Sequence, residues 1–143
     1  MPRLLELFSG AGSVGRSFRA RGWEVTPVDL DPKSGASIIT DVGTWNFDCV
    51  WASPPCTRYS CARTRGGPRD LEGSDRLVQR VLDIMGYHKP VCGYFIENSQ
   101  AGLLKTRAVV QGLAYHDASY CEYSYLCKKG TRIWHDSFRF EPK

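Results

Sequence analysis

The chain has 143 residues, of which 42% are hydrophobic and 24% are charged, and its formal net charge is +4. This length and composition are typical of one globular domain with its own core, and they exclude a mainly disordered chain. The modest positive charge permits a nucleic-acid partner without requiring one.

The six cysteines show no Cys-x-x-Cys spacing, which argues against a zinc site and against a disulfide framework. No apolar run approaches the length of a membrane span, and the apolar run near the N-terminus is too short for a signal peptide. We therefore expect an intracellular protein of a reducing compartment, the cytoplasm or the nucleus, with no membrane partner and no bound metal.

The first predicted element is a buried strand over Leu4–Phe8, which leads through a glycine-containing turn into a helix over Val14–Arg21. Glycines in a strand-to-helix turn let a ligand approach the backbone, and the first N–H groups of the helix can donate to polar ligand atoms. A lone glycine turn is also typical of an ordinary tight turn, but this order of elements favours a cofactor-binding loop. The candidate contacts are Phe8, Ser9, Gly10, Ala11 and Gly12.

A second strand, Trp23–Val28, ends at Asp29. A carboxylate in this position of a doubly wound sheet can accept hydrogen bonds from two ribose hydroxyls, although a solvated turn carboxylate is the simpler interpretation. Residues 34–40 are predicted to form a helical turn and a brief strand that ends at Asp41. Asp41 suits the exocyclic amine of an adenine.

The apolar run Phe47–Ala52 predicts a short buried strand, which Pro54 and Pro55 must end because proline cannot donate to a sheet ladder. Cys56 therefore lies just beyond a strand end, at the edge where parallel sheets bind ligands. It is a candidate nucleophile, and its alternative is a small buried hydrophobic residue.

The loop after Cys56 is rich in arginine, which suits contacts with phosphates, although a solvated loop has the same composition. The candidate nucleic-acid contacts are Arg58, Ser60, Arg63, Arg65 and Arg69.

After this loop, Asp70 or Ser74 can cap a helix that extends to about Tyr87, since apolar residues recur there at helical spacing. The next strand is predicted over Val91–Ile96, with Glu97 directly after it. A carboxylate that emerges from an apolar strand is partly desolvated and suits a proton-sharing role, although alone it is more typical of a surface charge.

The last predicted elements form a hairpin. Residues 103–112 are expected to form a loop with a short helix, and His116–Tyr125 alternates as a strand does. A turn then leads into Arg132–Trp134, which is predicted to pair antiparallel with that strand. Arg132 is either a site residue or an outward-facing arginine of an edge strand.

In their order along the chain, these segments resemble the motifs of the DNA (cytosine-5)-methyltransferase family, and the resemblance covers almost the whole chain. The matching segments are LELFSGAGSVGRSF, VDLDP, TDV, SPPCTRYS, FIEN and KKGTRIW. The resemblance implies an α/β fold of the Rossmann-like class I methyltransferase type. That fold is a three-layer sandwich with a mostly parallel sheet and an antiparallel C-terminal hairpin, here one catalytic domain over residues 1–143.

The resemblance also implies the cofactor, S-adenosylmethionine, and a role for each matched residue. Cys56 would add to the target cytosine as the nucleophile, Glu97 would interact with ring nitrogen 3, and Arg132 would contact the base. Asp29 would lie at the ribose and Asp41 near the adenine. The cofactor contacts further include Leu30, Val42 and Pro54. The expected reaction is methyl transfer to carbon 5 of a cytosine flipped out of DNA.

Two departures from the family pattern limit this interpretation. Gly130 stands where the eighth motif usually carries the first of two arginines, and Ser99-Gln100 follows the Glu-Asn pair in place of the family's usual residue. Few residues follow Trp134, so we expect no target-recognition region within this sequence. A second subunit or a homodimer could supply recognition, and such economy is typical of a virus- or phage-encoded enzyme.

Two other functions remain open from the sequence. One is a catalytically inactive or accessory protein that keeps the S-adenosylmethionine site, which the departures favour. The other is a cytosine-5 methyltransferase that acts on RNA, because family members without a large recognition region modify tRNA. Residue identity alone does not separate RNA from DNA as the substrate.

Overall fold

The computed structural model describes residues 1–29, 46–62, 65–123 and 129–137, with only the backbone of residues 122 and 123. The predicted contacts Leu30, Asp41, Val42 and Arg63, and the predicted elements within residues 34–40, lie outside these ranges. The described elements are, in chain order, β1 (Arg3–Leu7), α1 (Ser13–Arg19), β2 (Glu24–Val28), β3 (Cys49–Ala52), α2 (Leu71–His88), β4 (Tyr94–Ser99), β5 (Tyr115–Ser119) and β6 (Gly130–His135). Short 3₁₀ turns span Leu103–Thr106, Ala108–Val110 and Tyr120–Tyr123.

The strands form one sheet in the order β2-β1-β3-β4-β6-β5. The first four strands in this order run parallel, whereas β6 runs antiparallel to both β4 and β5. The predicted α/β fold with a mostly parallel sheet and an antiparallel C-terminal hairpin is therefore confirmed. The carboxyl ends of the parallel strands and the amino end of β6 meet at one edge of the sheet, the edge at which such folds bind ligands.

Helix α2 covers one face of the sheet. Asp70 caps it as predicted, because the Asp70 side chain accepts a hydrogen bond from the Gly73 N–H at 2.8 Å. Apolar residues at helical spacing face the strands and form the main core. Its members include Val78, Val81 and Met85 of the helix, and Leu5, Leu7, Val50, Ala52, Ile96 and Trp134 of the strands. Each large side chain buried in this way contributes about 1.5–3 kcal/mol to stability.

Helix α1 packs on the opposite face through a buried carboxylate. Glu6 of β1 is 2% exposed, and its Oε1 accepts a hydrogen bond from the Gly15 N–H at 3.1 Å. This bond satisfies one N–H near the start of a helix whose cap, Gly12, offers no side chain. A Cβ atom at residue 15 would collide with Glu6 Oε2, so a larger residue there would displace the Glu6 carboxylate. Burial raises the pKa of Glu6.

Two strands differ from their predicted bounds by three residues or more. Strand β4 begins and ends three residues later than the predicted Val91–Ile96, because residues 90–93 form a turn that closes with a 3.0 Å hydrogen bond from the Gly93 N–H to the Pro90 carbonyl. Val91 is consequently 84% exposed despite its apolar side chain. Strand β5 ends at Ser119 instead of residue 125, since a 3₁₀ turn follows it. Glu97 therefore lies within a paired strand, opposite Ile133 of β6.

Candidate active site

The predicted cofactor loop has an unusual backbone. Phe8, Gly10 and Gly12 all have positive φ angles, of 57°, 49° and 69°. Glycine adopts this left-handed conformation freely, whereas a phenylalanine does so at a cost that is typical of functional loops. No atom of the described residues would lie within 4 Å of a Cβ atom at Gly10 or Gly12. The loop thus presents an open backbone surface that a ligand can approach closely.

Asp29 is fixed beside this loop, because its Oδ2 accepts a hydrogen bond from the Gly10 N–H at 2.7 Å. The structure therefore joins the end of β2 to the glycine loop, so that both can contact one ligand. Ser9 lies between Phe8 and Gly10 in the loop, and its buried Oγ has no hydrogen-bond partner among the described residues. Such a hydroxyl suits a polar ligand atom.

An apolar pocket of about 170 Å³ adjoins Asp29 and Phe8. The other lining residues are Leu7, Val28, Leu77, Arg80, Val81 and Ile84. Its walls come from the carboxyl ends of β1 and β2 and from α2, so it can receive a flat apolar ring beside Asp29.

Cys56 is a free, exposed thiol beyond the carboxyl end of β3, as predicted. Two hydrogen bonds hold the chain that leads to it. The Ser53 N–H donates to the Leu7 carbonyl at 3.3 Å, and the buried Asn98 Nδ2 donates to the Pro54 carbonyl at 3.0 Å. The prolines end the strand, and Asn98 ties the resulting turn to β4.

Three residues after Cys56, the side chain of Tyr59 turns into the protein. It is 1% exposed, and its hydroxyl donates to Asp75 Oδ1 of α2 at 2.9 Å. Asp75 Oδ2 in turn accepts hydrogen bonds from Arg107 Nε and Nη2 at 2.8 and 2.6 Å. This Tyr59–Asp75–Arg107 network was not predicted from the sequence, in which its only signal is an aromatic residue within a polar loop.

Glu97 is half-buried near the carboxyl end of β4, and Thr131 of β6 is its hydrogen-bond partner. The Thr131 hydroxyl donates to Glu97 Oε1 and also lies 3.1 Å from the Asn98 carbonyl oxygen. Thr131 is 3% exposed, so this contact is shielded from water. The sequence analysis did not single out Thr131, although it is the residue next to the predicted Arg132.

Arg132 is engaged elsewhere. Its Nε and Nη2 donate to the two Asp117 carboxylate oxygens at 2.7 and 2.8 Å, and its guanidinium lies 3.8 Å from the centre of the Tyr115 ring. These hydrogen bonds lower the pKa of Asp117. Arg132 pairs with Asn98 across the sheet and so lies on the face opposite to Glu97. The structure brings Thr131 to Glu97 instead, and a catalytic role for Arg132 stays a prediction.

The arginine-rich loop divides into two groups. Arg58 and Arg65 are exposed and can reach a polymer. Arg69 instead donates from Nη1 to the carbonyl oxygens of Ser60 at 2.8 Å and Arg58 at 3.4 Å. These hydrogen bonds hold the backbone of the loop, so the structure does not support Arg69 as a phosphate contact.

Within residues 1–29, 46–62, 65–123 and 129–137, no group of histidine, cysteine and acidic side chains could hold a metal ion. In the same part of the chain, no helix is long and apolar enough to cross a membrane.

Comparison with solved structures identifies proteins of the same fold. The Dnmt2 methyltransferase of S. pombe superposes with a TM-score of 0.62 at 15% identity, over 100% of this chain and 53% of that one. A DNMT2 mutant of Spodoptera frugiperda gives 0.61 at 14% identity, over 100% and 52%. This chain therefore spans about half the length of these two structures, and at this identity the likeness establishes the fold alone.

Comparison of sequences identifies the family. No protein-family model matches the chain. A curated relative from Frog virus 3 (isolate Goorha), described as a "Probable DNA (cytosine-5)-methyltransferase", is 34% identical over 163 aligned positions, which cover 99% of this chain and 73% of the relative. With this identity over nearly its whole length, and with the Rossmann-like methyltransferase fold around Cys56 and Glu97, the chain belongs to the DNA (cytosine-5)-methyltransferase family.

Proposed function

We propose that the chain transfers a methyl group from S-adenosylmethionine to carbon 5 of cytosine in DNA, through a covalent adduct with Cys56. The observation that carries this proposal is the exposed Cys56 thiol at the carboxyl edge of the sheet, where the glycine loop after β1 and Glu97 of β4 also lie. Cofactor site, nucleophile and acid thus come from three adjacent strands. We choose DNA because the Frog virus 3 relative is described as acting on it.

The residues present fit S-adenosylmethionine. The open backbone at Gly10 and Gly12 suits the methionine part, the buried Ser9 hydroxyl suits a polar atom of it, and Asp29 suits the ribose. The apolar pocket beside Asp29 and Phe8 suits the adenine ring. Leu30, Asp41 and Val42, which the family resemblance adds to this site, lie outside the described residues.

The chemistry divides between Cys56 and Glu97. When bound, S-adenosylmethionine supplies an electrophilic methyl group. Carbon 5 of cytosine is a poor nucleophile, so the Cys56 thiolate adds to carbon 6 and gives the ring the electron density that it needs. Glu97 acts as the acid and stabilises the negative charge that develops at nitrogen 3 during this attack. Loss of the carbon 5 proton and release of the thiolate then restore the aromatic ring.

The arginine loop would hold the polymer. Flipping a cytosine out of a duplex costs a few kcal/mol, and contacts with the phosphates must offset this cost. Arg58 and Arg65 are exposed next to the Cys56 turn and are our candidates for these contacts, with Ser60 between them. Arg63 belongs to the same proposal from the sequence alone.

The test is transfer of a labelled methyl group to a duplex that contains 5-fluorocytosine, followed by denaturing electrophoresis. Because fluorine cannot leave as the carbon 5 proton does, a competent enzyme is trapped on the DNA through its cysteine. We expect a labelled, shifted band for the wild type and for Cys92→Ala, which removes another exposed thiol at the opposite edge of the sheet. Cys56→Ala should give no such band.

Three results would change the proposal. A trapped band with Cys56→Ala would exclude Cys56 as the nucleophile. Trapping on a 5-fluorocytosine RNA but not on the duplex would replace DNA by RNA as the substrate. No trapping on either polymer, together with calorimetric binding of S-adenosylmethionine, would indicate an accessory cofactor-binding protein.

A further inference from the structure

Tyr59 combines a buried ring with a hydroxyl in a charged network, close to an exposed nucleophile. Its ring is 1% exposed, whereas Cys56 and the two residues after it are exposed. A phenylalanine would fill the same space, so packing alone does not explain the hydroxyl. The hydroxyl donates to Asp75, and Arg107 binds the other Asp75 oxygen through two nitrogens. Such charge-assisted bonds are stronger and more directional than neutral ones.

The backbone of Tyr59 also connects the Cys56 turn to its surroundings. The Tyr59 N–H donates to the Cys56 carbonyl at 3.0 Å, which closes the turn directly after the nucleophile. The Tyr59 carbonyl accepts from the Leu103 N–H at 2.8 Å, which joins this turn to the segment that follows β4. Arg107 belongs to the same segment, so one residue links the turn to both α2 and residues 103–107.

We propose that Tyr59, held by Asp75 and Arg107, is a positioning residue for Cys56. The network fixes the turn that carries the thiol, so that the sulfur keeps its place relative to the bound base. This inference rests on the proposed function, because it concerns the nucleophile of that reaction. Burial raises the pKa of Tyr59, which keeps its hydroxyl protonated and able to donate to Asp75.

The decisive variant is Tyr59→Phe, which removes one oxygen and keeps the ring. We expect kcat for methyl transfer to fall about 10- to 100-fold, since small displacements of a reacting group are costly. The KM for S-adenosylmethionine should change by no more than about twofold, because the glycine loop and Asp29 follow β1 and β2, whereas the network joins the Cys56 turn to α2 and residues 103–107. A loss of folded protein would also lower the apparent kcat without raising this KM, so amide exchange in the core is the control for folding.

Hydrogen exchange supplies a readout that does not depend on activity. In Tyr59→Phe, the amides of residues 59 and 103 should exchange about tenfold faster or more, as expected for the loss of a hydrogen bond to a charged group. The amide of Val50, which is bonded to Gly93 in the core, should be unchanged. Tyr94→Phe is the matched control, because Tyr94 is a half-buried tyrosine at the amino end of β4, far along the strand from the Cys56 turn. It should alter neither kcat nor exchange at residues 59 and 103.

Unchanged exchange at residues 59 and 103 in Tyr59→Phe would overturn the proposal, and so would faster exchange there with an unchanged kcat. If Asp75→Asn, which keeps an acceptor for the hydroxyl but removes the charge that binds Arg107, matched the wild type in kcat and exchange, the charged network would not be the cause. A wild type that lacks methyl transfer would refute the proposed function. The exchange pattern would then still decide whether Tyr59 holds the Cys56 turn.

Discussion

Replacing Asn98 by aspartate tests how the turn before Cys56 is held. Asn98 is 2% exposed; its Nδ2 donates to the Pro54 carbonyl at 3.0 Å, and its Oδ1 accepts from the Ser99 N–H at 3.1 Å. Aspartate keeps the acceptor for Ser99 but places an oxygen where the donor was. In Asn98→Asp, therefore, a carboxylate oxygen faces the Pro54 carbonyl oxygen in a site closed to water.

The contacts set the size of the effect. A buried carbonyl that loses its hydrogen bond costs about 1–3 kcal/mol, and an unpaired buried carboxylate adds several kcal/mol unless it takes up a proton. We expect Asn98→Asp to lower the free energy of unfolding at pH 7 by about 3–5 kcal/mol, out of a typical total of about 5–15 kcal/mol. Asn98→Ala leaves both partners unsatisfied without adding charge and should cost about 2–4 kcal/mol.

Urea denaturation followed by tryptophan fluorescence measures both variants against the wild type at pH 7 and pH 5. A protonated aspartate regains a donor for the Pro54 oxygen, so the deficit of Asn98→Asp in free energy of unfolding, relative to the wild type, should be smaller at pH 5. The deficit of Asn98→Ala should stay the same. If the two variants showed equal deficits at both pH values, the Asn98 amide would not be what holds the turn.

Two further predictions concern buried hydrogen bonds on β6 and β1. Thr131→Val keeps the shape of the side chain but removes the donor to Glu97, and it should lower kcat about tenfold. Thr131→Ser keeps the donor and should keep most of the activity. Equal rates for the two variants would show that the Thr131–Glu97 hydrogen bond has no role in the reaction. Burial raises the pKa of Glu6 above its ordinary 4.5, so its charged form opposes folding. The contribution of Glu6 to stability is therefore largest below pH 4.5, and it is lost as the pH rises from 4.5 through the raised value. Glu6→Gln keeps an acceptor for Gly15 and should show less of this fall in urea denaturation between pH 5 and pH 7.5; parallel pH profiles would contradict the assignment.

The elements predicted correctly are those whose signals are local. Strand β1, the glycine turn and α1 follow each other within twenty residues, and α2 combines a capping Asp70 with apolar residues at helical spacing. Cys56 at a strand end followed from two prolines, which restrict the backbone wherever they occur. For these elements the sequence near each residue carries the deciding energy.

The predicted bounds of β4 were wrong because two local signals were misleading. Val91 is apolar and so extended the predicted strand towards the N-terminus, but the Gly93 turn leaves it exposed. At the other end, Glu97 and Asn98 are polar and looked like a loop. They remain in the strand because β6 pairs with them, and β6 lies more than thirty residues away along the chain. Pairing at that distance leaves no local signal.

The network around Tyr59 was hidden for a similar reason. Asp75 lies 16 residues from Tyr59, and Arg107 lies 32 residues from Asp75. Each residue alone is typical of a surface: an aspartate in the first turns of a helix, an arginine between two short turns. Only the packing of α2 against residues 103–110 brings them together, so the contacts between them could not be predicted from the sequence.

The two departures from the family pattern, Gly130 and Gln100, belong to a single arrangement. A Cβ atom at residue 130 would lie 2.5 Å from Gln100 Oε1, so no larger side chain fits there while Gln100 keeps its place. Gln100 Nε2 donates to Asp117 at 3.1 Å, and Asp117 also binds Arg132. An arginine at residue 130 would displace Gln100 and remove one partner of Asp117. Gly130 therefore permits a polar cluster that fixes the C-terminal hairpin against β4, and this hairpin in turn places the hydroxyl of Thr131, not a guanidinium, at Glu97.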